Sequence, residues 1–260
     1  MAWEWDRLSP AQRWLATVAG VGVQDGLSSS RFLYKAALGA LNLTGAKLGQ
    51  VDLSCADLRG ARLDRADLRK ACLDGTLLES ASLRGANLSW ASGEAIDLRW
   101  AALAGADLTE ATLPRADLSN ADLREAILNR AELPGARLVG ARASGAVLES
   151  ADLGGADLRR ADLARATLPF AGLRGADLRE AVLDGADLRG ADLATVALAG
   201  ASLEGALFGD DELDAEGRPL RTLLSRREAG APASREALRS ARWERLTLGG
   251  RVITRAELGD

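Results

Sequence analysis

The chain has 260 residues, 47% hydrophobic and 27% charged, with a formal net charge of −4. It contains no histidine and only two cysteines, Cys55 and Cys72. Imidazole acid–base chemistry and imidazole metal ligation are therefore excluded, and no disulfide framework or zinc-like cysteine spacing is present.

Residues 1–35 form the first segment. The opening MAWEWDRLSP is acidic and aromatic, unlike the basic start of a secretory signal, and the apolar run WLATVAGVGV is too short to cross a bilayer. A soluble, cytoplasmic protein is expected, with no membrane association. Ser9 and Pro10 precede AQRWLATVAG, which predicts a short helix with a serine N-cap and proline at its first position.

The second segment, residues 36–210, has a period of five. Leucine or a substitute stands at every fifth position from Leu38 to Phe208, 35 positions without an insertion, and only Gly93, Ala143 and Phe208 are not leucine. Two residues before each centre the side chain is nearly always alanine, with Leu41, Val51, Thr76, Ile96 and Val196 among the exceptions. Aspartate or asparagine is common just before the centre (Asp52, Asp57, Asp67, Asn87), and glycine recurs two after it (Gly45, Gly60, Gly75). Leucines five apart would scatter around an α-helix, and they would alternate between the faces of a strand. The chain must therefore turn within each repeat. Leucine and the small alanine point inward, glycine suits a positive-φ turn position, and Pro114, Pro134 and Pro169 preset φ one residue earlier. Aspartate or asparagine can bond backbone N–H groups at the corner. One unit cannot bury its own face, so stability comes from stacking. Gly93 and Ala143 are expected to leave small gaps in the leucine ladder, either tolerated or marking a bend.

Residues 211–260 differ again. PLRTLLSRR and SREALRSARWERL read as helical, the second with Ser234 as N-cap, and LTLGGRVIT reads as a hairpin across Gly249 and Gly250. Leu238, Trp243, Leu248, Ile253 and Leu258 also fall in the five-residue register, so a resumed, degenerate coil is the alternative. A solenoid needs its ends covered. Trp3, Trp5, Trp14, Leu15 and Val18 are the candidate N-terminal cap, and residues 211–260 the candidate C-terminal cap and dimerisation element.

The A-(D/N)-L-x-x pattern over residues 36–210 resembles the pentapeptide repeat family. The resemblance implies an all-β solenoid: a right-handed quadrilateral β-helix with four pentapeptides per coil. Thirty-five units give about nine coils, some 40 Å long at the spacing of stacked strands, with a short helical cap at one end and an α/β cap at the other. Some members resemble duplex DNA in width and charge, bind DNA gyrase or topoisomerase IV, and protect them from quinolones or natural gyrase poisons. Several dimerise through C-terminal elements, so a homodimer is expected.

Residues 36–210 hold 25 acidic and 19 basic residues, and 14 of the acids stand just before the centre. At the two positions after the centre the count is 11 acidic against 15 basic. With four repeats per coil, one face nets −4 and carries Asp52, Asp74, Glu94, Glu132, Asp152 and Asp192 against Arg115 and Arg174; the others net −1, 0 and −1. This is the candidate acidic partner-binding face. A second candidate is an apolar contact stripe of Trp90, Ile127, Val147 and Phe170, with Thr167 in the same column as Ile127 and Val147; Trp100 is a further outward aromatic.

No nucleophile with an activating partner, phosphate loop, dinucleotide fingerprint or metal-ligand spacing occurs, so no catalytic, cofactor or metal residues are assigned and a non-enzyme is expected. Two functions follow: a DNA-mimicking rod that protects a type II topoisomerase without binding nucleic acid itself, or a rigid protein-interaction scaffold.

Overall fold

The computed structural model describes residues 33–193, 195–208, 241–242, 245–248 and 251–254. The predicted helices at 9–20 and 219–227, and the candidate cap residues Trp3, Trp5, Trp14, Leu15 and Val18, lie outside the described residues. The predicted helix at 234–246 is described only at its end, where Arg242 makes a parallel bridge and Arg245 and Leu246 stand in a strand because they pair with neighbouring chain, so no helix forms there.

The five-residue unit is a flat side followed by a turn, and four units close one coil. Parallel bridges join residues twenty apart along the rod, from Ala37–Asp57 through Asp107–Ile127 to Asp187–Leu207. Each side offers only one bridging residue before the chain turns. The stack is thus a four-sided solenoid held by isolated bridges, and among the described residues regular strands appear only at its carboxy-terminal end.

The pattern of the pentapeptide follows from giving every N–H an acceptor. The N–H two before the centre closes the turn, as Ala36 does on the Leu33 carbonyl at 3.0 Å. The next N–H reaches the preceding coil (Asp57 to the Ala36 carbonyl, 2.9 Å) and the central one reaches the following coil (Leu38 to the Asp57 carbonyl, 2.7 Å). The N–H two after the centre also reaches forward, from Ala40 to the Arg59 carbonyl at 2.9 Å. The N–H one after the centre has no backbone acceptor in this scheme. Asp or Asn just before the centre supplies one: Asp107 accepts from Thr109 at 2.9 Å, Asp117 from Ser119 at 3.0 Å and Asn87 from Ser89 at 2.9 Å. Where Pro114, Pro134 and Pro169 occupy that position there is no N–H to satisfy, and the preceding residues are Thr112, Glu132 and Thr167 rather than Asp or Asn.

The core is the leucine and alanine ladder, almost all fully buried from Leu33 to Phe208. Thr76, standing in an alanine position, is also fully buried, and its hydroxyl donates to the Leu53 carbonyl at 2.9 Å. The second turn residue has positive φ in every unit from Lys35 to Gly205, glycine or not. The expected gap at Gly93 is absent. A methyl added there would meet the Leu73 Cβ at 3.0 Å and the Leu113 Cδ2 and Leu73 carbonyl oxygen at 3.2 Å. The neighbouring leucines close over the missing side chain.

The carboxy-terminal end extends the stack. Strand β1 (Leu207–Phe208) pairs in parallel with β2 (Arg245–Leu248), which pairs antiparallel with β3 (Arg251–Thr254). Arg242 bridges Ser202 in parallel, and Thr247 lies beside Leu207. These two tail residues, five apart, sit beside two rod residues, five apart. The chain here returns onto the last coil in register, and β3 then pairs antiparallel with β2.

Candidate functional site

On the side that nets −4, the carboxylates are largely engaged by the rod itself. Asp52 accepts from the Ser54 N–H at 2.9 Å and Asp152 from the Gly154 N–H at 2.9 Å. Asp74 accepts from the Glu94 N–H at 2.8 Å, across one coil. Glu94 is paired with Arg115, and Glu132 lies 3.4 Å from the Thr112 hydroxyl. Asp74, Glu94, Glu132, Asp152 and Asp192 are all exposed and Asp52 is half-buried, so the structure does bring these residues to one side.

Elsewhere the sequence D-L-R makes a local clasp. The arginine two residues after the aspartate folds back with two guanidinium nitrogens on the two carboxylate oxygens, as in Asp97–Arg99 at 2.9 and 2.7 Å. Asp57–Arg59, Asp67–Arg69, Asp122–Arg124, Asp157–Arg159, Asp177–Arg179 and Asp187–Arg189 do the same. The Arg59 guanidinium and N–H draw the Asp57 carboxyl down to about 2. The other six carboxyls are lowered for the same first reason, the side-chain bond from the paired arginine. These aspartates stay ionised, but their charge is spent locally.

The apolar stripe occupies one side. Trp90 is 49% exposed, Ile127 39% and Phe170 67%, while Val147 is half-buried beside Ile127 in the bridge column. Trp100, 61% exposed, stands two units further along the chain, on the opposite side. Side chains at the second turn position lie along the rod onto the following coil: the Phe170 ring covers Gly190, where an added Cβ would meet ring carbons at 2.6 and 2.7 Å. In the same column Lys70 lies over the Trp90 ring (5.8 Å), the Trp90 indole N–H donates to Glu110 (2.9 Å), and Arg130 approaches Glu110 (3.7 Å). Summing charge over whole sides misses this Lys70–Trp90–Glu110–Arg130 column. Reading the sequence at a spacing of twenty, with its alternation of cation, ring, acid and cation, would have found it.

Among the described residues no group of histidine, cysteine and carboxylate side chains could hold a metal ion. Cys55 and Cys72 are free thiols, and Cys72 lies 3.1 Å from the Ser54 hydroxyl. No described helix is long and apolar enough to cross a membrane.

The same repeat is found by comparison with known proteins. The family described as pentapeptide repeats matches in eight copies, over residues 42–79, 63–92, 94–130, 126–165, 144–179 and 171–210. Among solved structures, HetL of the cyanobacterium Nostoc sp. strain PCC 7120, a pentapeptide repeat protein involved in heterocyst differentiation regulation, is 34% identical. That match covers 74% of this chain and 94% of HetL, with a TM-score of 0.40. Full-length QnrB1, a plasmid-mediated fluoroquinolone resistance protein, is 21% identical over 62% of this chain and 87% of its own, with a TM-score of 0.32. A pentapeptide repeat protein of the Arabidopsis thaliana thylakoid lumen is 30% identical over 62% and 88%, with a TM-score of 0.21. No curated protein matches. With its repeats matched over more than half its length and its coils built as that period dictates, the chain belongs to the pentapeptide repeat family.

Proposed function

We propose that this protein is a non-enzymatic, cytoplasmic rod that binds a protein partner along the side carrying Trp90, Ile127, Val147 and Phe170. The observation that carries the reading is this run of exposed apolar side chains on a frame whose other outward groups are mostly turn-forming or paired. Large aromatics held on a hydrogen-bonded scaffold lose little side-chain freedom on contact, which favours them as anchors. The test is co-purification from the native cell with wild-type protein and with Trp90→Ala/Phe170→Ala. A stoichiometric partner should be retained by the first and lost by the second. Equal recovery by both, or no partner at all, overturns the reading. A homodimer joined at the carboxy-terminal end is part of it, checked by sedimentation.

Protection of DNA gyrase or topoisomerase IV is the second reading, favoured by the −4 side. Its weakness is that Asp52, Asp74, Glu94 and Asp152 already have partners within the rod. A gyrase supercoiling assay with a quinolone separates the two. Rescue that is abolished by charge reversal at Glu94, Glu132 and Asp152 would establish duplex mimicry by that side. No rescue and no inhibition with folded protein leaves the apolar stripe as the contact surface.

A further inference from the structure

Charge summed along whole sides conceals a division within the first coils. Residues 41–50, 61–70 and 81–90, which form two adjoining sides of three stacked coils, carry six basic and two acidic residues, net +4. Residues 51–60, 71–80 and 91–100, the opposite two sides at the same height, carry six acidic and two basic residues, net −4. The two halves differ in pairing as well as in sign. On the acidic half, Asp57, Glu79, Glu94 and Asp97 have arginine partners and Asp52 and Asp74 hold backbone N–H groups. On the basic half, Lys47, Arg62, Arg65, Lys70 and Arg84 are all exposed, and none has a described carboxylate within ion-pair distance. Asp64 is held by the Ser82 hydroxyl and the Arg84 N–H, and Asp67 by Arg69. A shallow notch of about 370 Å³, lined by Lys47, Gln50, Arg69, Lys70 and Trp90 among others, lies on this half.

We infer that Lys47, Arg62, Arg65, Lys70, Arg84 and the Trp90 indole form the docking surface for an acidic segment of a partner protein, whose apolar continuation runs down the Ile127–Val147–Phe170 stripe. The inference rests on the protein-binding reading above and names the chemistry of the partner. Five cations without a described carboxylate partner, on two adjoining sides, make a local positive potential on a protein whose overall charge is negative, and that potential selects an anionic ligand. The apolar continuation selects a peptide over a nucleic acid. A single-stranded nucleic acid needs successive stacking rings along a basic groove. Here the two rings of this side, Trp90 with its N–H already given to Glu110 and Phe170, stand four coils apart with aliphatic Ile127 and Val147 between them, too far apart for successive bases to stack. The cationic part spans three coils, about 10 Å, and the stripe from Trp90 to Phe170 a further four, about 19 Å, at the spacing of stacked strands. An extended segment of about nine residues, acidic in its first third, matches that length.

The probe is a short fluorescein-labelled peptide, a run of glutamates followed by alternating phenylalanine and serine, titrated with the full chain and read by anisotropy. Binding is expected at about 50 mM salt and should weaken severalfold at about 300 mM. Lys47→Glu/Lys70→Glu should weaken it at least about tenfold, Lys47→Gln/Lys70→Gln less, and Glu79→Gln on the opposite side not at all. Circular dichroism confirms that each variant is folded. No binding by wild type, or equal binding by Lys47→Glu/Lys70→Glu, overturns the inference. So does tighter binding of oligothymidylate or phosphatidylserine vesicles with the same dependence on the lysines, which reassigns the surface to nucleic acid or lipid. So does salt-sensitive self-association abolished by these variants, which reassigns it to a second copy. If the peptide fails while a cellular partner still depends on Trp90 and Phe170, this inference falls and the broader reading stands. If no partner is retained either, both fall.

Discussion

Gly93 stands in the leucine position without a side chain, yet nothing is missing around it. Leu73 and Leu113 have closed the space to 3.0–3.2 Å from where a Cβ would lie. Restoring the leucine of the repeat should therefore overpack the coil: Gly93→Leu is expected to destabilise by about 1–3 kcal/mol, read as a fall in thermal or denaturant midpoint. A gain in stability would show that the space is still open. The opposite change at a filled position, Leu118→Ala, should cost about 2–5 kcal/mol because its closely stacked neighbours are hydrogen-bonded to fixed positions. The sequence points to a gap at Gly93 because it shows which side chain is absent and not how neighbours respond. Thr76 is the converse case. Its hydroxyl looks out of place in an alanine position until the Leu53 carbonyl is found 2.9 Å away.

Within one pentapeptide, the aspartate serves two masters, an N–H one turn residue away and often an arginine guanidinium. Seven such clasps give the protein a predictable acid response. Their carboxyls titrate lower in the folded state than in the unfolded chain, Asp57 at about 2 against 3.8. The unfolded state therefore binds protons first as pH falls. The stabilisation is complete above about pH 4 and lost on the way to about pH 2. Thermal melts should show a midpoint that declines across that window and is restored on return to pH 5. A flat profile would mean that these exposed clasps do not differ energetically from their unfolded counterparts. The unit itself was readable in advance: Ala and Leu inward, Asp at the corner, Gly or Pro in the turn. The positive φ at Trp90, Glu110 and Phe170 was not, since glycine marks only some of the turns that need it. The stacking of neighbouring coils holds the other residues there. Nor could the period reveal the clasp, because the same D-L-R letters are equally compatible with an aspartate and an arginine facing water.

Over the whole rod, the four sides are legible once twenty residues make a coil, the register in which the bridges stack. Their meaning was harder to reach, because charge in the sequence is a sum while charge on the surface is a pattern. The −4 side is mostly committed to the rod's own turns, whereas Lys47, Arg62, Arg65, Lys70 and Arg84 are exposed with no described carboxylate beside them. The unbroken twenty-residue register also governs how such a chain can change in length. Removing one pentapeptide, such as residues 96–100, keeps the local pattern but swings everything beyond it through a quarter turn. Ile127, Val147 and Phe170 would then leave the side of Trp90 for the adjoining one. Removing four, residues 96–115, shortens the rod by one coil and leaves every column aligned. Insertions and deletions are thus of two kinds, one that preserves only the fold and one that preserves the fold and its surface. Over evolutionary time a surface under selection would be held to steps of twenty, while a rod serving only as a spacer would be free to drift in steps of five.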